Sequence, residues 1–164
     1  MDIFRLKATM RNWIWGLTLF LLVGCDNDDD FQCIGDPLPQ PFLFVNLVNQ
    51  DGVNLFDNGT YDPDDIVVRF DDITIQGLVF SDIPELAKLI AIPSLFRDTP
   101  DPIPYYIDLS ATQTDTLIMD VTRMRLGEGR CSTFLNQING AIYNSTVQNL
   151  IRVEEGFQID IEKE

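Results

Sequence analysis

The alternation of apolar and polar residues along the chain predicts a series of short β-strands. Ile73 and Ile75 alternate with Thr74 and Gln76, and near the end of the chain Phe157, Ile159 and Ile161 alternate with polar residues. A period of two residues is typical of a strand with one buried face. Clusters of β-branched and aromatic residues predict the strands, which are 42–48, 66–70, 73–80, 105–109, 115–126, 134–142, 146–153 and 157–161. We therefore predict an all-β fold, a single antiparallel β-sandwich of immunoglobulin-like or transthyretin-like type over residues 42–164.

Two segments depart from this pattern. Ser81, Asp82 and Glu85 are of the types that cap the N-terminus of a helix, and they favour a short helix over 86–92. A segment this short also fits a strand. Residues 93–104 contain four prolines and predict a long surface loop.

The last part of strand 115–126 contains two positively charged residues, Arg123 and Arg125. Their charge predicts that this strand leaves the core there.

The N-terminal segment has the pattern of a targeting sequence. Arg5, Lys7 and Arg11 precede the uncharged apolar run 13–23, which ends in Gly24-Cys25. As a helix this run would measure about 16 Å, shorter than the ~30 Å hydrocarbon core of a membrane. The segment resembles the type II (lipoprotein) signal peptide of bacteria, with Met10 as an alternative start. The resemblance implies cleavage between Gly24 and Cys25, lipidation of Cys25 with palmitate among the acyl chains, and anchoring to the lipid bilayer.

Four carboxylates follow the cysteine directly, at Asp26, Asp28, Asp29 and Asp30. Their mutual repulsion predicts an extended, solvated tether. The run is similar to the acidic export signal of surface lipoproteins of the Bacteroidota, which implies an outer-membrane protein that faces the cell exterior. A calcium loop of the EF-hand type is the alternative, but the glycine and glutamate that such a loop needs at its sixth and twelfth positions are absent. The domains expected are the signal peptide 1–24, the lipidated tether and Pro-rich entry 25–41, and the sandwich 42–164.

The C-terminal half carries a second resemblance. The residues concerned are Tyr106-Ile107-Asp108-Leu109-Ser110, Asp115-Thr116-Leu117, Arg123, Cys131 and Tyr143-Asn144. They resemble small surface lipoproteins of the Bacteroidota that have a β-rich body, and this resemblance implies no activity. Asp115-Thr116-Leu117 also resembles the short O-glycosylation motif of secreted Bacteroidota proteins, so modification of Thr116 is an open alternative.

Composition narrows the function further. The chain has a net charge of −15 and no histidine. The acidic balance excludes nucleic acid as a partner, because phosphate contacts need clustered lysine and arginine. The lack of histidine excludes the usual forms of zinc hydrolysis and of Ser-His-Asp or Cys-His catalysis. We expect a protein that is not an enzyme and has no cofactor.

The cysteines suggest one disulfide. Once Cys25 is lipidated, Cys33 and Cys131 remain, and an even pair in an oxidising compartment predicts a bridge between them. Two free thiols are the alternative.

Three other groups of side chains have a candidate function and a structural alternative. Asp57, Asp62, Asp64 and Asp65, with Asp71 and Asp72 nearby in sequence, supply the oxygen ligands of a calcium site, but they are more typical of a solvated turn. Arg123, Arg125 and Arg130 suit an anionic ligand or neutralise an acidic surface. Tyr105, Tyr106 and Phe96 suit an exposed contact site or anchor the Pro-rich loop.

The leading hypothesis is a membrane-anchored, non-catalytic binding, accessory or structural module. Its partners would be the lipid bilayer and an unknown outer-membrane protein or extracellular ligand. A subunit of a pilin-like surface polymer is the second hypothesis, and a carboxylate-dependent hydrolase is the third.

Overall fold

Two β-sheets packed face to face make up the body of the protein. The computed structural model describes residues 38–80, 83–84, 86–98, 102–128 and 132–163, which lie within the unit Asp36–Glu164. The strands are β1 (Phe42–Val48), β2 (Val67–Phe70), β3 (Ile73–Gln76), β4 (Ile90–Pro93), β5 (Pro104–Ser110), β6 (Gln113–Leu126), β7 (Thr133–Tyr143), β8 (Thr146–Gln148), β9 (Ile151–Val153) and β10 (Gly156–Glu162). A single 3-10 turn, Pro63–Asp65, is the helical element of the described residues.

The strand order confirms the predicted all-β sandwich. The first sheet has the order β4-β1-β10-β9 and the second has the order β3-β2-β5-β6-β7-β8. Every pairing but one is antiparallel. β1 and β10, the first and last strands, pair in parallel over their whole length, from Phe42 opposite Gly156 to Val48 opposite Glu162.

The core lies between the two sheets because alternate residues of each strand face inward. Leu43, Val45 and Leu47 of β1 are fully buried, and the odd-numbered residues Leu117 and Met119 of β6 face them from the second sheet. Phe80, Leu86 and Leu89 cover part of the opposite face of the first sheet, where they pack with Phe44 and Ala91. The first sheet is thus buried on both faces along β1 and β4.

This double burial explains why the predicted helix over 86–92 is wrong. Ile90, Ala91 and Ile92 are all fully buried, and three consecutive buried residues fit a strand that is covered on both faces. Lys88 has a positive φ of 66°, which turns the chain into β4. The predicted strand 146–153 is in fact two strands, β8 and β9, which belong to different sheets.

The sandwich has two distinct ends. At the entry end, β1 begins at Phe42, β10 begins at Gly156, and the β6–β7 hairpin extends outward. At the far end lie Val48, Lys163 and the β7–β8 turn at Asn144. Arg123 and Arg125 are exposed in the outer part of the hairpin, which confirms that β6 leaves the core there. Among the residues the structure covers, no helix has the length and apolarity to cross a membrane.

Candidate functional site

A buried polar cluster centred on Asp115 joins the two sheets at the far end. Asp115 faces inward from β6, and its residue is only 4% exposed. Its carboxylate accepts hydrogen bonds from the Tyr143 hydroxyl at 2.7 Å, from Asn144 Nδ2 at 2.9 Å and from Lys163 Nζ at 2.5 Å. Lys163 follows β10, whereas the other three residues belong to the second sheet. The cluster therefore ties the last residues of the chain to the opposite sheet.

The cluster keeps Asp115 ionised. Burial raises the pKa of Asp115, but the hydrogen bonds from Lys163, Tyr143 and Asn144 outweigh it, so the net shift is downward. Burial and the adjacent carboxylate raise the pKa of Tyr143 well above its usual value. A carboxylate that accepts three hydrogen bonds and faces an ammonium group is poorly suited to take a proton from a substrate. The arrangement is typical of a structural ion pair.

A second arrangement lies at the entry end. The Arg123 guanidinium stacks over the Phe134 ring, with Cζ 3.9 Å from the ring centroid, and lies 5.7 Å from the centroid of Phe96. Phe134 is on the neighbouring strand β7, and Phe96 comes from the segment that follows β4. We call Phe96, Arg123 and Phe134 the arginine stack. It holds a positive charge in a fixed position on an exposed surface.

The chain enters the sandwich beside the arginine stack. The Gln40 side chain donates from Nε2 to the Phe134 carbonyl at 3.1 Å and accepts from the Asn136 backbone N–H at 2.8 Å. The Gln40 side chain thus pairs with one backbone carbonyl and one backbone N–H at the edge of β7, as an added strand would. β8 pairs with β7 only over Ala141–Tyr143, so Gln40 covers a part of this edge that β8 does not reach.

Several open grooves lie on the described surface, and two of them have partly apolar walls. The first, of about 420 Å³, is bordered by Ile118, Ile142 and Val147 of β6–β8 and by Leu95 and Pro102. Val147 is 77% exposed, more than any other large apolar side chain that the structure describes. The second groove, of about 390 Å³, lies beside Gln40 and is bordered by β7 and the β9–β10 turn. The walls of the first groove are mostly apolar, whereas the second also includes the charged residues Arg152, Glu154 and Glu155.

The acidic residues proposed for calcium do not converge. Asp62 caps the 3-10 turn, where its Oδ1 accepts from the Asp64 backbone N–H at 3.0 Å. Asp71 lies at the other end of β2 and pairs with Arg97. Within the described ranges, no group of three or more carboxylate, cysteine or histidine side chains is placed to hold a metal ion. The structure thus gives Asp57, Asp62, Asp64 and Asp65 the features of a solvated turn, and Asp72 lies apart from them.

The predicted aromatic contact site is divided in the structure. Tyr105 is buried, and its hydroxyl donates to the Pro93 carbonyl at 3.1 Å and accepts from the Leu95 backbone N–H at 3.3 Å. It therefore anchors the Pro-rich loop to the core. Tyr106 points to the opposite face of β5, where Arg69 lies over its ring at 5.7 Å. Phe96 joins Arg123 instead.

Several predicted site residues lie outside the described residues. These are Gly24 and Cys25 of the signal, Asp26, Asp28, Asp29 and Asp30 of the tether, the cysteines Cys33 and Cys131, and Arg130. Thr116 is described: it is half-buried on β6, on the face opposite Asp115, and its backbone N–H donates to Asn144 Oδ1 at 2.8 Å.

Sequence reasoning missed the partners within both arrangements. No local pattern in the sequence singles out Lys163, and Phe134 is predicted only as part of a strand. One signal for the far end is present in the sequence. Asp115 lies on the same inward-facing side of the strand as Leu117 and Met119, and an acidic residue at a core position needs partners.

Comparison with protein-family models, with curated proteins and with solved structures gives no match.

Proposed function

We propose that this protein is a lipid-anchored surface protein whose β-sandwich acts as a non-catalytic binding or accessory module of the outer membrane. The observation that carries the proposal is the N-terminal pattern, in which a charged start and the apolar run 13–23 end at Gly24-Cys25. Acylation of Cys25, with palmitate among the chains, would hold the mature protein at the membrane. Two or more acyl chains anchor stably, whereas a single chain does not.

The described residues support a binding role over a catalytic one. The most buried carboxylate, Asp115, is occupied by three hydrogen-bond donors. The groove beside Val147 instead presents apolar side chains on the outer face of a rigid sheet. An extracellular ligand or an outer-membrane protein would contact this groove.

A disulfide between Cys33 and Cys131 is part of the proposal. Gln40, seven positions after Cys33, is hydrogen-bonded to the carbonyl of Phe134, three positions after Cys131. Extended chain covers ~3.3 Å per residue, so each cysteine is within about 25 Å of this contact along the chain. The contact supports the pairing because it joins two residues that are each near one of the cysteines in sequence.

The test is the fate of a Cys25→Ala variant with a C-terminal tag, expressed in a bacterium that processes lipoproteins. We expect the variant to lack the acyl mass and to leave the membrane fraction, while a matched Cys33→Ser variant stays acylated and membrane-bound. Retention of Cys25→Ala in membranes washed with carbonate would contradict the proposal. If the unaltered protein is anchored as proposed, cross-linking it on intact cells and purifying it through the tag would identify the partner.

The edge of β7 favours a second candidate, a subunit of a surface polymer. β8 pairs only with Ala141–Tyr143, and among the described residues no strand pairs with the remaining outer edge of β7. A strand from another copy would add to this edge by displacing Gln40 from Phe134 and Asn136. Polymer ladders on unheated gels, lost when the samples are boiled, would favour this candidate over the free-standing module.

A further inference from the structure

The basic residues at the two ends of the sandwich differ in their partners. The far end carries exposed acidic side chains, which are Asp51, Asp62, Asp64, Asp65 and Glu162. Its two basic residues are both neutralised, Lys88 by Asp57 at 3.6 Å and Lys163 by Asp115. At the entry end, Arg123 stacks on aromatic rings, and none of the ion pairs found in the described residues involves it. The entry end also carries the exposed acidic residues Glu128, Glu154 and Glu155, so what distinguishes it is an arginine held by aromatic rings and not by a carboxylate among the described residues.

The stacking of Arg123 favours an oxyanion ligand. Contact with the face of Phe134 leaves the N–H groups at the rim of the guanidinium plane, where they are directed away from the ring. Such a rim binds phosphate oxygens through two parallel hydrogen bonds. The stack also exposes apolar surface, because Phe134 is 40% exposed. A cation held against an exposed aromatic ring matches the boundary between lipid headgroups and acyl chains.

The path of the chain also points to the membrane. Gln40 is fixed to β7 next to Phe134, so the chain that leads back to Cys25 leaves the sandwich at the arginine stack. The fifteen positions from Cys25 to Gln40 can span at most about 50 Å. A tether of this length keeps the entry end at a high effective concentration beside the bilayer, so that weak contacts suffice.

We propose that the entry end is the membrane-facing surface of the protein and that Arg123, held by Phe96 and Phe134, binds the phosphate groups of anionic lipid headgroups. The inference rests on the proposed anchoring at Cys25. It adds an orientation: the acidic far end and the groove beside Val147 are directed away from the bilayer or along it, where a partner reaches them.

The test uses the full lipidated chain with a single tryptophan as reporter. Both tryptophans of the sequence, Trp13 and Trp15, lie in the predicted signal peptide, so the mature chain would have no tryptophan of its own. Phe134→Trp places the reporter in the stack and keeps an aromatic face under Arg123. Val53→Trp is the matched control at the far end, where Val53 is 44% exposed.

The two variants are reconstituted in vesicles of phosphatidylethanolamine and phosphatidylglycerol that contain brominated acyl chains. We expect strong quenching of the indole at position 134 and little at position 53. In phosphatidylcholine vesicles, which have no net charge, the quenching at position 134 should decrease. Arg123→Gln in the Phe134→Trp background should reduce the ratio of docked to undocked protein by about fivefold, and Lys88→Gln should leave it unchanged.

Equal quenching at positions 134 and 53, or none at either, would overturn the inference. So would equal quenching in the anionic and neutral vesicles, because the contact would then not depend on phosphate charge. Flotation with the vesicles and the mass of the acylated N-terminus report on Cys25 separately. A protein that floats without quenching at position 134 therefore keeps the proposed anchor and loses the proposed orientation.

Discussion

At the scale of single residues, Asp115 shows how a charge is accommodated inside a sandwich. A buried carboxylate is unfavourable unless hydrogen bonds and a countercharge replace its lost water. Tyr143, Asn144 and Lys163 supply three hydrogen bonds, one of them from an ammonium group. The stability of the far end depends on this set being complete.

We expect Asp115→Asn to lower the free energy of unfolding by about 3 kcal/mol, because it leaves the Lys163 ammonium nearly buried without its countercharge. Urea unfolding of the mature chain measures the effect. Asp108→Asn is the matched control: it breaks the more exposed pair with Arg69 and should cost less than about 1 kcal/mol. The double variant Asp115→Asn with Lys163→Met should lose less than the sum of the single variants. Equal losses for Asp115→Asn and Asp108→Asn would contradict this account.

The same residue predicts a dependence of stability on pH. The folded-state pKa of Asp115 lies below its usual value of 3.8, so its contribution is complete above that value. The contribution is lost as the pH falls below 3.8 and through the lower folded-state pKa. Urea midpoints measured from about pH 6 to about pH 2.5 should therefore fall less steeply for Asp115→Asn than for the unaltered chain. Parallel curves would show that Asp115 does not carry this part of acid unfolding.

At the scale of strands and turns, the close approach of β1 and β10 depends on one glycine. Gly156 has a φ of 152°, and a Cβ built there would lie 2.1 Å from the Phe42 carbonyl oxygen. Any side chain would push the start of β10 away from β1. Gly52 provides a contrast, because it has a positive φ of 77° but nothing within 4 Å of such a Cβ.

We therefore expect Gly156→Ala to lower the free energy of unfolding by at least twice the ~1–2 kcal/mol expected for Gly52→Ala. The Gly52 substitution introduces only backbone strain, whereas the Gly156 substitution adds a collision with backbone. Chemical denaturation of the two variants side by side gives the comparison. Similar losses would mean that β10 shifts to accept the methyl group.

The strands and turns also show what the sequence predicts and what it leaves open. β1 and the long strand β6 follow from local patterns of apolar residues, and both are found as expected. The helix over 86–92 fails because capping residues are a local signal, whereas the burial of Ile90–Ile92 on both faces comes from distant segments. The assignment of β8 and β9 to different sheets, and the meeting of Arg123 with Phe96, are likewise set by long-range packing that no local pattern encodes.

At the scale of the whole molecule, the proposed disulfide would have a measurable effect on stability. A bridge between Cys33 and Cys131 would close a loop of about 98 residues and stabilise the fold by about 4–5 kcal/mol according to the chain-entropy account. We expect reductant, Cys33→Ser and Cys131→Ser each to lower the urea midpoint to the same extent, with no further loss in the double variant. Non-reducing mass spectrometry gives an independent check, since two free thiols would exclude the bridge.

The parallel pairing of β1 with β10 has a consequence for folding. β1 is the first strand to leave a ribosome or a translocation channel, and the centre of its sheet is incomplete until β10, the last strand, follows. Contacts between residues so distant in sequence make folding slow, on the order of milliseconds to seconds. During this delay the apolar stretch Phe42–Val48 is open to wrong partners, as in other nascent chains with unpaired strands. The centre of the first sheet thus forms only after β10 has been made, which would suit the export through a membrane that we propose.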